Sequence, residues 1–150
     1  DMRTKAGDDY AARVYLSFRI APEALGLGTR AKLALARSIY GDQVPDAALN
    51  YVWDNRQPVG TSMPNAYTDR TRMIVLRSGT GDAGGWVIER RDVAEDFKRA
   101  FGEVPAQLSG IALASDTDNT GEQARAGFAE FRFVSRDEEC VTPDAGQPGQ

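Results

Sequence analysis

Apolar and polar residues alternate strictly from Val14 to Ile20, so that Val14, Leu16, Phe18 and Ile20 share one face of the chain. This period of two predicts a β-strand with one buried face, and Pro22 ends it. Ala48–Asp54 follows the same pattern, with Leu49, Tyr51 and Trp53 on one side. Thr71–Arg77 is apolar on both faces, which predicts a central strand covered on two sides.

Three further strands are predicted towards the carboxyl terminus. A glycine-rich loop over 79–85 precedes a returning strand that begins at 86–89, and strands are predicted over 108–115 and 124–134. The last two flank an acidic turn and are expected to be antiparallel neighbours.

Two segments have helical periodicity instead. Leu25–Tyr40 has apolar residues at helical spacing, with Thr29 as the expected cap and Gly41 as the end. Its basic residues could contact an anionic lipid or polysaccharide, although a solvated helix face is the favoured interpretation. Asp92, with Glu95 three residues later, predicts the start of a short helix that ends at Gly102.

About six strands with two short helical insertions favour a mainly β protein, an antiparallel β-sandwich of jelly-roll type. Residues 1–134 are expected to form this single domain. Residues 135–150 read as a polar flexible tail, because the segment has too few apolar side chains to fold alone.

Composition narrows the range of functions. Eighteen basic and 22 acidic residues give a net charge of −4, which argues against a nucleic-acid partner. Histidine is absent, so the commonest general base and the usual zinc ligand are missing. The single cysteine, Cys140, cannot form an intrachain disulfide, and no apolar run approaches the roughly 20 residues of a transmembrane helix.

Four motifs carry a resemblance to a known family. They are Lys5-Ala-Gly-Asp-Asp-Tyr-Ala-Ala-Arg-Val-Tyr15, Leu49-Asn-Tyr-Val-Trp-Asp-Asn55, Pro64-Asn-Ala-Tyr67 and Asp116-Thr-Asp-Asn-Thr-Gly121. In this order they resemble the bacterial domain-of-unknown-function 3047 family. The resemblance implies an exported protein, periplasmic or secreted, with a further amino-terminal β-rich part that is expected to be missing here.

The family resemblance implies no activity. The final strands are also similar to the closing strands of galactose-binding-like jelly rolls, many of which bind carbohydrate. This analogy supports a non-enzymatic module that binds polysaccharide or an envelope component. The alternative is an accessory subunit of a larger envelope protein complex, and a second alternative is a glycoside-active hydrolase.

Asn65, Tyr67 and Asp69 are the predicted ligand contacts. Aromatic rings stack on sugar faces while amides and carboxylates bind hydroxyl groups, and these three residues lie in a loop. Tyr51 and Trp53 have suitable chemistry too, but they share a face with Leu49, so core packing is favoured for them.

Asp116, Asp118 and Asn119 are the candidate metal ligands, and a structural calcium is the candidate cofactor. Calcium takes six to eight oxygen ligands, so Asp8, Asp9 or Glu130 would have to converge on the turn. The competing interpretation is that these side chains only stabilise the turn. For a hydrolase, Asp54, Asp69 and Glu89 are candidate acids, with nothing in their spacing to select a pair.

Overall fold

The computed structural model describes residues 2–138 of the chain. Its strands are β1 (Arg13–Ile20), β2 (Ala47–Asp54), β3 (Ser62–Pro64), β4 (Thr71–Ser78) and β5 (Ala106–Ala114). Two α-helices are present in this part of the chain, α1 (Leu27–Tyr40) between β1 and β2 and α2 (Val93–Phe101) between β4 and β5. The mainly β prediction with two helical insertions is therefore confirmed.

The five strands form one mixed sheet in the order β3-β4-β2-β1-β5. β1 lies antiparallel to both of its neighbours, β2 and β5, and β3 lies antiparallel to β4. β2 and β4 are parallel, which requires the chain to cross over between them. β5 is one edge of this sheet, and the three-residue β3 is the other.

One face of the sheet packs on α2. The buried cluster there includes Leu16 and Phe18 of β1, Leu49 of β2 and Phe97 of α2. The ring of Phe97 lies 4.6 Å from that of Phe18, measured between centroids. The predicted apolar face of β1 is thus the face that α2 covers.

The amino-terminal segment covers the other face. Met2 and Tyr10 are buried there against Val52 of β2 and Met73 and Val75 of β4. β4 is therefore buried on both faces, as its continuous apolar sequence predicts.

The helix boundaries follow the expected capping chemistry in part. The Asp92 side chain accepts a hydrogen bond from the backbone N–H of Glu95 at 3.0 Å, so the predicted cap of α2 is confirmed. Gly41 ends α1 with a positive φ of 93°, also as predicted. Gly26 rather than Thr29 precedes α1, with no side-chain hydrogen bond at that cap.

The prediction of an antiparallel β-sandwich of jelly-roll type is not confirmed. The described residues form a single sheet, and the parallel pairing of β2 with β4 makes it mixed rather than antiparallel. Helix α2 and the amino-terminal segment cover its two faces, whereas a sandwich requires a second sheet.

Two predicted strands are absent from the described residues. Residues 86–89 and 124–134 belong to no strand, and β5 pairs with β1 instead of with the segment that follows it. Residues on either side of that segment make contacts elsewhere: Asn119 bonds to Asp9, and Arg136 pairs with Asp92 at the start of α2. Residues 124–134 form no ladder with β5.

Most of the predicted tail, including Cys140, lies outside the described residues. The prediction of one domain over 1–134 with a flexible tail stays a prediction.

Candidate functional site

The amino-terminal segment is fixed to the sheet by a cluster of three aspartates, which we call the aspartate network: Asp8, Asp9 and Asp116. Asp8 Oδ1 accepts hydrogen bonds from Asn65 Nδ2 at 2.9 Å and from the Tyr10 hydroxyl at 3.2 Å. Tyr10 is almost completely buried. Asp8 therefore links the segment to the loop between β3 and β4.

Asp9 holds the acidic turn that follows β5. Its Oδ1 accepts from the backbone and side-chain nitrogens of Asn119, at 3.2 and 3.1 Å. Its Oδ2 accepts from the backbone N–H and the hydroxyl of Thr120, both at 2.6 Å. One carboxylate thus receives four hydrogen bonds from a turn more than 100 residues away in sequence.

Asp116 completes the aspartate network. Its Oδ2 pairs with Arg13 Nη2 at 2.5 Å, and its Oδ1 accepts from the backbone N–H of Tyr10 at 3.2 Å. Arg13 begins β1 and Asp116 follows β5, so this ion pair lies at one end of the two paired strands. The acceptor atoms of the network are largely occupied by groups of the protein itself, which favours a structural role.

The environment shifts the pKa values of Asp8 and Asp9 in opposite directions. Desolvation by burial raises the pKa of Asp8 above its ordinary value of 3.8, although the hydrogen bond from Tyr10 and the charge of Arg13 oppose the shift. For Asp9, desolvation acts upwards but is outweighed by the hydrogen bonds from Thr120 and Asn119, so its pKa is lowered from 3.8.

These shifts predict opposite pH effects for two neighbouring substitutions. The native state releases the Asp9 proton more readily than the unfolded chain, so ionised Asp9 adds stability above pH 4 that is lost as pH falls below it. Asp9→Asn should flatten the acid limb of the stability profile. The native state holds the Asp8 proton more tightly than the unfolded chain, so ionised Asp8 costs stability as pH rises above its ordinary pKa. The free energy of unfolding of Asp8→Asn should therefore rise relative to that of the wild type as pH increases.

Urea unfolding of the wild type and the two variants between about pH 3 and 7 checks this prediction. Parallel profiles for all three proteins would contradict it.

The predicted ligand residues Asn65, Tyr67 and Asp69 lie in the loop between β3 and β4. Asn65 is already engaged, since its Nδ2 donates to Asp8 and its Oδ1 accepts from the backbone N–H of Tyr67 at 2.9 Å. The Tyr67 ring is 56% exposed, and the Lys5 ammonium lies 5.0 Å from its centroid. Asp69 is exposed. Tyr67 and Asp69 are thus exposed residues of this loop, and Lys5 of the amino-terminal segment lies beside the Tyr67 ring.

The same contacts engage two of the three predicted metal ligands. Asp116 pairs with Arg13, Asn119 donates to Asp9, and Asp118 is exposed. Within residues 2–138, no group of three or more acidic side chains is arranged to hold a metal ion. Calcium at this turn stays a prediction, and thermal unfolding with calcium and with EDTA measures it directly.

Of the candidate acids of a hydrolase, Asp54 and Asp69 lie at opposite ends of the parallel pair β2 and β4. Asp54 is buried, and its Oδ1 accepts from the backbone nitrogens of Arg56 and Gln57, both at 2.6 Å. Asp69 precedes β4 while Asp54 ends the parallel β2, so about 20 Å of strand separates them. Glu89 pairs with Arg77. A glycosidase needs two carboxyls within about 10 Å across the scissile bond.

A buried polar cluster under α2 was not predicted from the sequence. Asp96, 5% exposed, accepts from the Tyr51 hydroxyl at 2.8 Å and from Arg91 Nε and Nη2 at 2.9 and 2.6 Å. Burial and the neighbouring Asp96 raise the pKa of Tyr51. Tyr51 is therefore a core residue, as its position beside Leu49 indicates, and Trp53 donates to the Gly79 carbonyl at 2.7 Å.

The outer edge of β5 is the most open part of the sheet. No strand among residues 2–138 pairs with it, and its nine residues include no charge and no proline. Leu108, Ile111 and Leu113 are 40–44% exposed. The opposite edge is shorter and contains Pro64. Unpaired, uncharged and apolar edges are those at which other chains add strands.

An apolar groove lies beside this edge. Its volume is about 560 Å³, and it runs between α2 and the start of β5. Phe97 and Val93 of α2, Leu108 of β5 and Phe133 lie along it. Phe133 is itself half exposed, as is its neighbour Phe131. The open edge and the groove therefore form one surface, which we call the β5 surface.

The sequence contains signals for two features that the motifs and periodicity alone do not predict. One feature is Tyr10, which lies between the two acidic residues of the first motif and the alternating β1 pattern. An aromatic residue in this position favours burial of the amino-terminal segment against the sheet. The absence of charge from 106–114 was visible as well. Only the three-dimensional pairing shows that this uncharged strand is an edge.

The four sequence motifs meet around the amino-terminal segment. The first contributes Asp8, Asp9 and Tyr10, the third contributes Asn65, and the fourth contributes Asp116, Asn119 and Thr120. The second joins them through the backbone N–H of Trp53, which donates to the Ala12 carbonyl at 2.9 Å. The molecule is thus a β-rich protein whose distinguishing motifs fasten one segment across a mixed sheet.

The family model described as "Protein of unknown function (DUF3047)" matches residues 1–132, and the chain belongs to this family. No curated protein and no solved structure matches it. In the described part of the chain, neither helix has the length and apolar character needed to cross a membrane.

Proposed function

We propose that this protein is a non-enzymatic module that joins a larger protein assembly by strand addition at the β5 surface. The observation that carries the proposal is the outer edge of β5, which no strand among residues 2–138 pairs with, which is uncharged over nine residues and which includes three exposed apolar side chains. Strand addition uses main-chain hydrogen bonds for affinity and side-chain pockets for specificity. The β5 surface offers both.

The lining of the groove indicates that the partner strand has apolar side chains. The groove is lined mainly by aromatic and aliphatic side chains, including Phe18, Phe97 and Phe133. A partner strand that pairs with β5 would insert an apolar side chain there. The expected partner is thus a polypeptide segment with alternating apolar residues, and we propose that it belongs to an exported assembly.

Affinity capture with three baits tests this proposal. The baits are wild type, Ile111→Lys, which adds a charge to the open edge, and Val59→Lys, which adds the same charge at an exposed loop position. From an extract of cells that produce the protein, we expect one polypeptide that wild type and Val59→Lys retain and Ile111→Lys loses. Equal retention by all three baits, or by none, would contradict strand addition.

A second proposal is polysaccharide binding at Asn65, Tyr67 and Asp69. It is supported by the exposed Tyr67 ring, which lies beside the Lys5 ammonium, and by the Asn65 side chain, which accepts from the backbone N–H of Tyr67. Such a ring can stack on the apolar face of a sugar while Lys5 and Asp69 bind hydroxyl groups. The metal-binding proposal for Asp116, Asp118 and Asn119 is separate, since calcium would act there on stability.

A glycan array separates this proposal from the first. Tyr67→Ala should lose the signal, whereas Tyr40→Ala, which removes a tyrosine exposed to a similar extent on α1, should retain it. A wild-type signal that survives in Tyr67→Ala would reject this loop as the site.

A further inference from the structure

Helix α1 presents an apolar stripe to solvent. Leu27, Leu35 and Ile39 are 81, 63 and 64% exposed, and Ala31 is exposed between them. The four residues follow one another at intervals of four, so they form one row along the helix. At 1.5 Å per residue the row is about 18 Å long. Leu33 is the only residue of α1 that is buried.

The orientation of α1 is therefore the reverse of the usual one. A surface helix normally turns its apolar stripe towards the core and its charged residues to solvent. Here the side opposite the stripe packs on the protein through Leu33, and Arg37 is fixed by Asp46 at 2.7 Å and by the Val44 carbonyl. Exposed apolar rows of this kind mark contact surfaces.

Basic residues border the stripe on both sides. On a helical projection of 100° per residue, Lys32 lies next to Ile39, while Arg30 lies on the other side of the row, nearest Leu27. Both side chains are exposed. Although the chain carries a net charge of −4, none of its 22 acidic residues lies within α1. The nearest in sequence, Glu23 and Asp42, lie beyond its two ends.

We propose that α1 docks on an anionic lipid surface, with its apolar row inserted at the level between headgroups and acyl chains. An interfacial helix requires an apolar face flanked by Lys and Arg, and each basic residue near anionic headgroups adds to binding. Both borders of the row are positive, as contact with headgroups on either side requires. The proposal is independent of the β5 surface.

A second copy of the chain is a poorer occupant of this row. Two α1 helices placed face to face would bring Arg30 and Lys32 of each copy close to the same residues of the other, and like charges disfavour that contact. A bilayer with anionic headgroups supplies the opposite charge together with an apolar layer.

Co-sedimentation of the full chain with lipid vesicles tests the proposal. We expect binding to vesicles in which about one-third of the lipid is phosphatidylglycerol, weak binding to pure phosphatidylcholine, and loss of binding as salt is added. The double variants Leu35→Ser/Ile39→Ser and Arg30→Gln/Lys32→Gln should each lower the affinity for these vesicles at least about tenfold. Val59→Ser, an exposed apolar residue in a loop, should bind as wild type does.

Unchanged binding of the Leu35→Ser/Ile39→Ser variant would overturn the proposal, because other exposed apolar residues would then be responsible. Absence of wild-type binding to the anionic vesicles would also overturn it, and the apolar row of α1 would then be assigned to contact with another protein. Far-ultraviolet circular dichroism of each variant confirms that a loss of binding does not result from unfolding.

Discussion

Phe97→Ala is expected to lower the free energy of unfolding by about 3–5 kcal/mol. The side chain is 6% exposed, and its ring lies 4.6 Å from Phe18 and 5.0 Å from Phe101 between centroids. Removing it deletes buried apolar atoms from the contact between α2 and the sheet and leaves a cavity there. Urea unfolding followed by tryptophan fluorescence measures the loss.

Phe131→Ala is the matched control, since it deletes the same atoms from a ring that is 46% exposed. Its cost should stay below about 1 kcal/mol. A comparable loss for the two variants would mean that α2 does not form the core contact described above.

Asp96→Ala is expected to cost about 2–4 kcal/mol. The substitution leaves the buried Tyr51 hydroxyl without its Asp96 acceptor and removes the two hydrogen bonds that the Arg91 guanidinium donates to Asp96. The expected cost is smaller than for a fully buried ion pair, because the Arg91 side chain is 36% exposed and can be hydrated once Asp96 is removed. Urea unfolding again measures the change.

Glu95→Ala provides the control from the preceding position of the helix. Glu95 makes an exposed pair with Arg99, which should contribute about 0.5 kcal/mol or less. Combining Asp96→Ala with Tyr51→Phe should cost less than the sum of the two single changes, because each removes the same hydrogen bond. Additive costs would show that Tyr51 and Asp96 do not interact.

Local structure could be predicted where one physical rule decides it. β1 follows from the alternation that ends at Ile20, β4 from a sequence apolar on both faces, and α2 from the Asp92 cap. These features depend on neighbours within a few residues, so the sequence displays them directly.

The pairing of strands could not be predicted in the same way. The alternating segment 124–134 has the pattern of a partner for β5, yet β5 pairs with β1 and the segment is held near α2 through Arg136. Pairing depends on contacts far apart in sequence, and several partners satisfy the same alternation. For that reason the sandwich was predicted where a mixed sheet is present.

In the candidate sites, too, the residue types could be predicted from the sequence but the contacts between distant residues could not. The loop of Asn65 and Tyr67 was selected for its residue types, but only the structure shows that the Asn65 amide is bonded to Asp8. In α1, Leu33 and Leu35 both fit helical spacing, and the sequence does not decide which one faces the core. Packing buries Leu33 and exposes Leu35, which creates the outward apolar row.

Amide hydrogen exchange along β5, measured by NMR on the full chain, tests the central claim that the outer edge of this strand is open. In an antiparallel edge strand, alternate amides point towards the neighbouring strand and the others point away from it. We predict slow exchange for those that bond to β1 and fast exchange for those between them, over Ala106–Ala114. Slow exchange at every amide of β5 would show that the edge is already covered and would contradict strand addition.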